Sequence, residues 1–186
     1  MHPRTRELVA QLDLAHADLK TAVDLIPLNE RGWRSAPERW SAAEIVDHLA
    51  VVERRIAKLM STQLAAAVEQ GLSRETDHSS VMGMMRMDRL LDRRRPLISS
   101  EASLPRGGVD ANTAWADFEA ANASIRGVVL AADGMALGEI TVPHPVLGPL
   151  NLYQWVLFVG GHESRHAIQI REIAQAVAGR DREPPK

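Results

Sequence analysis

The stretch NLYQWVLFVGGHESRHAIQIREIAQAVA, residues 151–178, decides the fold. Asn151-Leu152-Tyr153-Gln154 has the form of a capping box, in which the first and fourth side chains each bond the other residue's backbone N–H. Pro143, Pro145, Gly148 and Pro149 exclude a regular element in the loop before it. From the cap onward, Trp155, Phe158, Val159, His162, His166, Gln169 and Ile173 recur at three- and four-residue steps, so they share one face of a helix running to about Ala178. His162 and His166 therefore stand one turn apart, with Cβ atoms about 5–6 Å from each other, on the face that carries the apolar side chains. Two imidazoles so placed suit a single metal ion, which occupies both lone pairs; buried without partners, they would remain unsatisfied.

Outward from this helix the same period recurs. Residues 5–26 place Leu8, Leu12, Ala15, Leu19, Ala22 and Ile26 on one stripe and predict the first long helix. Pro27 to Trp40, with Gly32 and Pro37, reads as a connection, and Ser41-Ala42-Ala43-Glu44 is a capping box opening a second helix from Ser41 to about Glu69, ending near Gly71. On that helix His48 groups with Ile45, Val52 and Leu59 and points inward, while Glu44 lies one turn earlier on the edge of the face. Between Gly71 and Gly108 the pattern weakens; Gly83, Pro96, Pro105 and Gly107-Gly108 mark an irregular crossover with a short helix around Met82 to Arg94. Residues 110–132 recover the period through Trp115, Phe118, Asn122, Ile125 and Val129, and residues 180–186 form a charged tail. Four long helices, few strand signals and one long crossover predict an all-α four-helix bundle, a single domain over residues 1–179. In such bundles metal sites are built from inward side chains on facing helices, and His48 would complete a three-ligand site with an open position.

Composition narrows the function classes. A chain of 186 residues, 45% hydrophobic with a formal charge of −2, holds one domain with a full core and lacks the basic surface of a nucleic-acid-binding protein. The basic run Arg86, Arg89, Arg93, Arg94 and Arg95 is interleaved with Met84, Met85, Met87, Leu90 and Leu91 and reads as a solvated face. Without cysteine there is no disulfide, thiolate zinc site or cysteine nucleophile, so histidine and carboxylate must carry any metal chemistry. Met1 to Arg6 leads into a segment with Asp13, Asp18 and Lys20 that lacks the apolar run of a signal peptide, and no stretch approaches the roughly 20 apolar residues of a membrane span. A soluble, cytoplasmic protein with no membrane partner is expected.

His162-Glu163-Ser164-Arg165-His166 also satisfies the metalloprotease pattern in which the Glu acts as general base. Its context disagrees. The following Ala167 to Glu172 holds neither the His nor the Gly of the extended motif, only twenty residues follow His166, and strands to hold a peptide are missing. Neighbouring side chains take structural roles in this reading. Glu44 serves its capping box, Gln169 lines the site or bridges helices, Glu163 makes a salt bridge across the bundle, and Arg165 makes a surface or inter-helix pair. Trp33, Trp40, Trp115 and Trp155 belong to the core, at most one or two of them walling a pocket, and His2, His16, His78 and His144 are surface or loop residues.

Trp40-Ser41-Ala42-Ala43-Glu44-Ile45-Val46-Asp47-His48-Leu49-Ala50-Val51-Val52-Glu53 resembles the second-helix signature of the DinB superfamily, the DinB/YfiT-like proteins, in which a Trp precedes the helix and a His-Leu pair supplies the first metal ligand. His144 to Trp155 followed by Gly161 to Ile170 resembles that family's last loop and helix, and Glu101 to Gly107 its Pro-Gly crossover. The resemblance implies an up-down-down-up four-helix bundle with a long crossover between helices 2 and 3. It places His48, His162 and His166 around a divalent metal ion, zinc or nickel, in a chain that forms a homodimer. Relatives include S-transferases and isomerases that use low-molecular-weight thiols, and others described as metal-dependent hydrolases. The expectation is a metal-dependent enzyme, a hydrolase or thiol S-transferase, acting on a small molecule through an activated water or thiol. The alternative is a non-catalytic binding or interaction module on the same fold.

Overall fold

The computed structural model describes residues 1–94 and 101–180. Its helices are α1 (Pro3–Asp24), α2 (Ala42–Glu69), a short α3 (Met87–Leu91), α4 (Ala111–Ala131) and α5 (Leu152–Arg180), with a two-stranded sheet of β1 (Thr141–His144) and β2 (Gly148–Asn151). Each long helix starts on a side chain that satisfies its first N–H groups. The His2 ring accepts from Arg4 N, with Pro3 at the first helical position where no N–H is needed, so α1 begins two residues ahead of the start at residue 5 read from the apolar stripe. Ser41 Oγ accepts from Glu44 N at 3.2 Å while Glu44 Oε2 accepts from Ser41 N at 2.9 Å, the capping box read from the sequence. Asp110 accepts from Asn112 N and Thr113 N, and Asn151 and Gln154 exchange bonds of 3.0 and 2.9 Å at the head of α5.

α1 packs along α5 and α2 along α4, and the two pairs meet through α1 with α4 and α2 with α5. The core falls into two apolar clusters. One joins Leu8, Leu12, Ile56, Met60, Ile125 and Leu157 with the hairpin residues Val142 and Leu150; the other joins Leu19, Ile26, Ile45, Leu49, Phe118 and Ile170. Between them, along α2, α4 and α5, lie the buried polar residues His48, Glu53, Asn122, His162, Glu163 and His166. Among the described residues no helix is long and apolar enough to cross a membrane.

Three segments depart from the sequence reading. The crossover helix is only α3, preceded by a 3-10 turn at Met82–Met84, instead of spanning Met82 to Arg94. α3 lies directly on α5 at Gly161, where a Cβ would come within 2.6 Å of Met87 Cε and closer still to Leu90 Cδ2. Arg180, assigned to the tail, completes α5 and lies over the Trp33 ring; Arg95 and residues 181–186 fall outside the described residues.

The largest correction is the loop at 141–151, which is a β-hairpin despite its prolines. Pro143 and Pro149 stand opposite each other in the antiparallel register, and two residues without N–H groups fit a position where no ladder bond is exchanged. His144 Nδ1 accepts the N–H groups of both Val146 and Leu147 at 3.1 Å, and Gly148 takes φ +78° to return the chain. A side chain thus closes a turn that period counting cannot see.

Ser41→Ala removes one half of the α2 cap and is expected to lower stability by about 1 kcal/mol in urea unfolding, with an unchanged denaturant slope. No change would mean that Arg34, which also bonds Glu44, holds the helix start without the serine.

Candidate metal centre

His48 comes from the first half of α2 and His162 and His166 from the middle of α5, where the two helices pack against each other. His162 Nε2 is 3.3 Å from His48 Nε2 and 3.1 Å from His166 Nε2, and all three rings are buried. The outer ring nitrogens are tied to the protein. His48 Nδ1 donates to the Ser103 carbonyl and His166 Nδ1 donates to Gln169 Oε1 at 2.9 Å. Those bonds put the protons of both rings on Nδ1 and leave the Nε2 lone pairs facing His162. Trp40 packs on the His48 ring at 5.0 Å between centroids, and Phe158 stacks on His162 at 5.3 Å, 13° from parallel.

Burial lowers the pKa of all three imidazoles. Their mutual repulsion pushes His162 well below the ordinary histidine value, and His166 falls to about 3; the carbonyl of Ser103 opposes the shift on His48. The rings are therefore neutral at physiological pH, the form that binds metal. The spacing fits as well. A four-coordinate ion with bonds of about 2.0–2.1 Å sets its ligand nitrogens about 3.3 Å apart. His48, His162 and His166 form the one group of three among the described residues with this ability, their ligand atoms all within 4.8 Å of one another.

The surrounding residues explain how the cluster is held. Ser103 belongs to the crossover, which is clamped to α2 where the buried Asp47 accepts from Arg106 N at 2.6 Å and Arg106 Nε at 2.8 Å. Arg165, expected at the surface or in an inter-helix pair, is buried and donates to the carbonyls of Leu90 and Asp92, fastening the end of α3 to α5. Glu44 caps α2 as read from the sequence. Glu163 does not form the expected salt bridge. Its Oε1 accepts from Asn122 Nδ2 at 3.1 Å, and its carboxyl faces that of Glu53, with both Glu53 oxygens and Glu163 Oε2 receiving no N–H. Burial raises both carboxyl pKa values, that of Glu163 to about 8, and the Glu163 charge raises Glu53 further. The pair keeps a proton through neutral pH.

An open cavity of about 450 Å³ adjoins the cluster, with His48 and His162 in its lining. Val52, Ile56, Leu59, Trp155 and Phe158 wall it from the helices, and the hairpin covers it with His144, Pro145, Val146 and Leu147. Its size falls within the range of small-molecule sites. Of the four tryptophans, Trp155 lines this cavity and Trp40 backs His48, while Trp33 and Trp115 pack on the second core cluster. The sequence reading missed Glu53 and His144. Glu53 interrupts the buried stripe Val46, Leu49, Ala57 and Met60, a visible signal of an inward carboxyl; His144 sits among prolines with no period to place it.

The sequence profile of the DinB superfamily matches residues 11–170, a span that includes all three histidines, the whole of α2 and α5 as far as Ile170. The chain belongs to the DinB superfamily. It is also similar to the uncharacterized protein YuaE of Bacillus subtilis (strain 168), with 23% identity over 163 residues, 87% of this chain and 94% of YuaE. No solved structure is significantly similar to this chain. Within a DinB superfamily protein, three neutral imidazoles with converging Nε2 atoms fit a metal-binding site.

The raised carboxyl pKa values set a pH dependence. A carboxyl whose folded pKa exceeds its unfolded value stabilises the fold most when protonated, and that contribution fades as pH rises from about 4.5 toward 8. Glu53→Gln removes one acid of the pair. Its stability relative to the native chain is expected to improve from pH 5 to pH 8 in urea titrations; a difference independent of pH would show that the pair is not protonated.

Proposed function

We propose that this DinB superfamily protein is a divalent-metal-dependent enzyme in which His48, His162 and His166 are the metal ligands. The observation that carries the reading is the convergence of three Nε2 atoms, two of them oriented from behind by Ser103 and Gln169, beside an apolar cavity open to a small molecule. Zinc and nickel both suit an all-imidazole donor set. In this reading the four long helices form the up-down-down-up bundle, and the crossover between α2 and α4 supplies the carbonyl that fixes His48.

A divalent ion bound by three neutral imidazoles keeps its full charge and lowers the pKa of a water or a thiol beside it. The chain's own residues do the rest. Ser103 and Gln169 hold two rings in the ligating tautomer, Phe158 and Trp40 fix ring planes, and the Glu53–Glu163 pair, bound to its own retained proton, lies outside the ligand set. The apolar walls bind the body of the substrate and exclude water around it. This arrangement serves hydrolysis, with water as nucleophile, or S-transfer, with a low-molecular-weight thiol. The mostly apolar cavity favours testing thiol transfer first.

Metal content by inductively coupled plasma mass spectrometry after zinc or nickel loading is expected near one ion per chain, and near zero in His48→Ala, His162→Ala and His166→Ala variants that retain native circular dichroism. Gln169→Leu, which leaves all three ligands in place, is expected to weaken metal affinity about 10- to 100-fold. Absence of bound metal in the native chain would overturn the metalloenzyme reading in favour of a non-catalytic binding module.

A further inference from the structure

We propose that His144, on the hairpin, is the hydrogen-bond donor of this site, and that the cavity takes a small molecule with an apolar body and a carbonyl-type oxygen acceptor. The inference deepens the proposed function and rests on its placement of the substrate beside the three histidines. It starts from the tautomer. A neutral imidazole has one donor and one acceptor nitrogen, and His144 Nδ1 already accepts the N–H groups of Val146 and Leu147, each at 3.1 Å. The ring proton therefore sits on Nε2, opposite in sense to His48 and His166, whose protons sit on Nδ1.

The ring's position is equally constrained. It is half-buried and lies against Trp155 at 5.0 Å and Phe158 at 4.6 Å between centroids, and Phe158 stacks in turn on His162. His144 thus lines the same cavity as His48 and His162, one aromatic ring away from the cluster. Nε2 bonds no described residue. His48 and His166 spend their N–H groups on Ser103 and Gln169 and have none to offer a ligand. Arg55 and Ser103 add polar atoms to the lining, but Arg55 is exposed at its edge, and only His144 presents an N–H whose direction is set by the backbone of the hairpin. A ligand among Val52, Ile56, Leu59, Val146, Leu147 and Phe158 gives up water around its oxygen and needs a donor there to replace it.

Two variants separate donation to a ligand from closure of the turn. His144→Asn keeps an acceptor for the Val146 and Leu147 N–H groups but has no group at the place of Nε2; His144→Gln keeps an N–H near that place but gives up the turn acceptor. Octanohydroxamate, an apolar chain with two oxygen acceptors, is titrated against zinc-treated and EDTA-treated protein, with quenching of tryptophan fluorescence as the readout. His144→Asn is expected to bind about tenfold more weakly than the native chain in both preparations, and His144→Gln within about twofold of it. Equal affinity of the native chain and His144→Asn, weakening in His144→Gln alone, or no saturable binding would overturn the proposal. Failure of zinc uptake with the variant pattern intact would overturn the metal reading and leave the role of His144 supported.

Discussion

Three imidazole Nε2 atoms gathered inside a protein, two of them on rings whose protons sit on Nδ1, have at most one proton among them, so at least one lone pair lacks a partner unless a cation lies there. His48, His162 and His166 are in that position, and the structure around them prevents relief by rotation. Ser103 holds one ring from behind, Gln169 holds another, and aromatic rings cover two faces. Burial then keeps the rings neutral, so protonation cannot resolve the conflict near neutral pH. A divalent cation satisfies all three groups at once.

The same constraint organises the helices. α2 and α5 must approach closely enough to bring the rings together, and the crossover must return over α2 to present its carbonyl, which the Asp47–Arg106 clamp secures. The polar layer divides the apolar interior in two, with Glu53, Glu163 and Asn122 meeting away from the cavity. Two buried carboxyls sharing a proton carry one negative charge between them in place of two, in a layer where a doubly ionised pair would be strongly destabilising. The layer thus combines acceptors that call for a cation with acids that do not compete for it.

Much of this was legible in the sequence because helical period and caps are local. The Ser41-to-Glu44 and Asn151-to-Gln154 boxes fixed two helix starts, and the shared faces of α2 and α5 turned all three histidines inward. What stayed hidden depends on contacts distant in sequence or on side chains that replace backbone bonds. The prolines at 143 and 149 argue against strands until they are seen to face each other, and His144 closes its turn through a ring nitrogen. Glu163 offered a plausible cation partner on a helix flank, but its surroundings are Asn122 and Glu53, forty-one residues away in the first case, and no local pattern reports that. α3 is seated on Gly161 of α5 and its end is held by Arg165, contacts distant in sequence that no local period reports.

The central claim is that the interior lone pairs of three specific rings form one metal site. X-ray absorption spectroscopy of the zinc-loaded native chain tests it most directly, because multiple scattering from imidazole rings counts the histidine ligands. Three imidazoles with light-atom scatterers completing the shell is the expected result. A shell with fewer than three imidazoles, or one built from oxygen alone, would contradict the account.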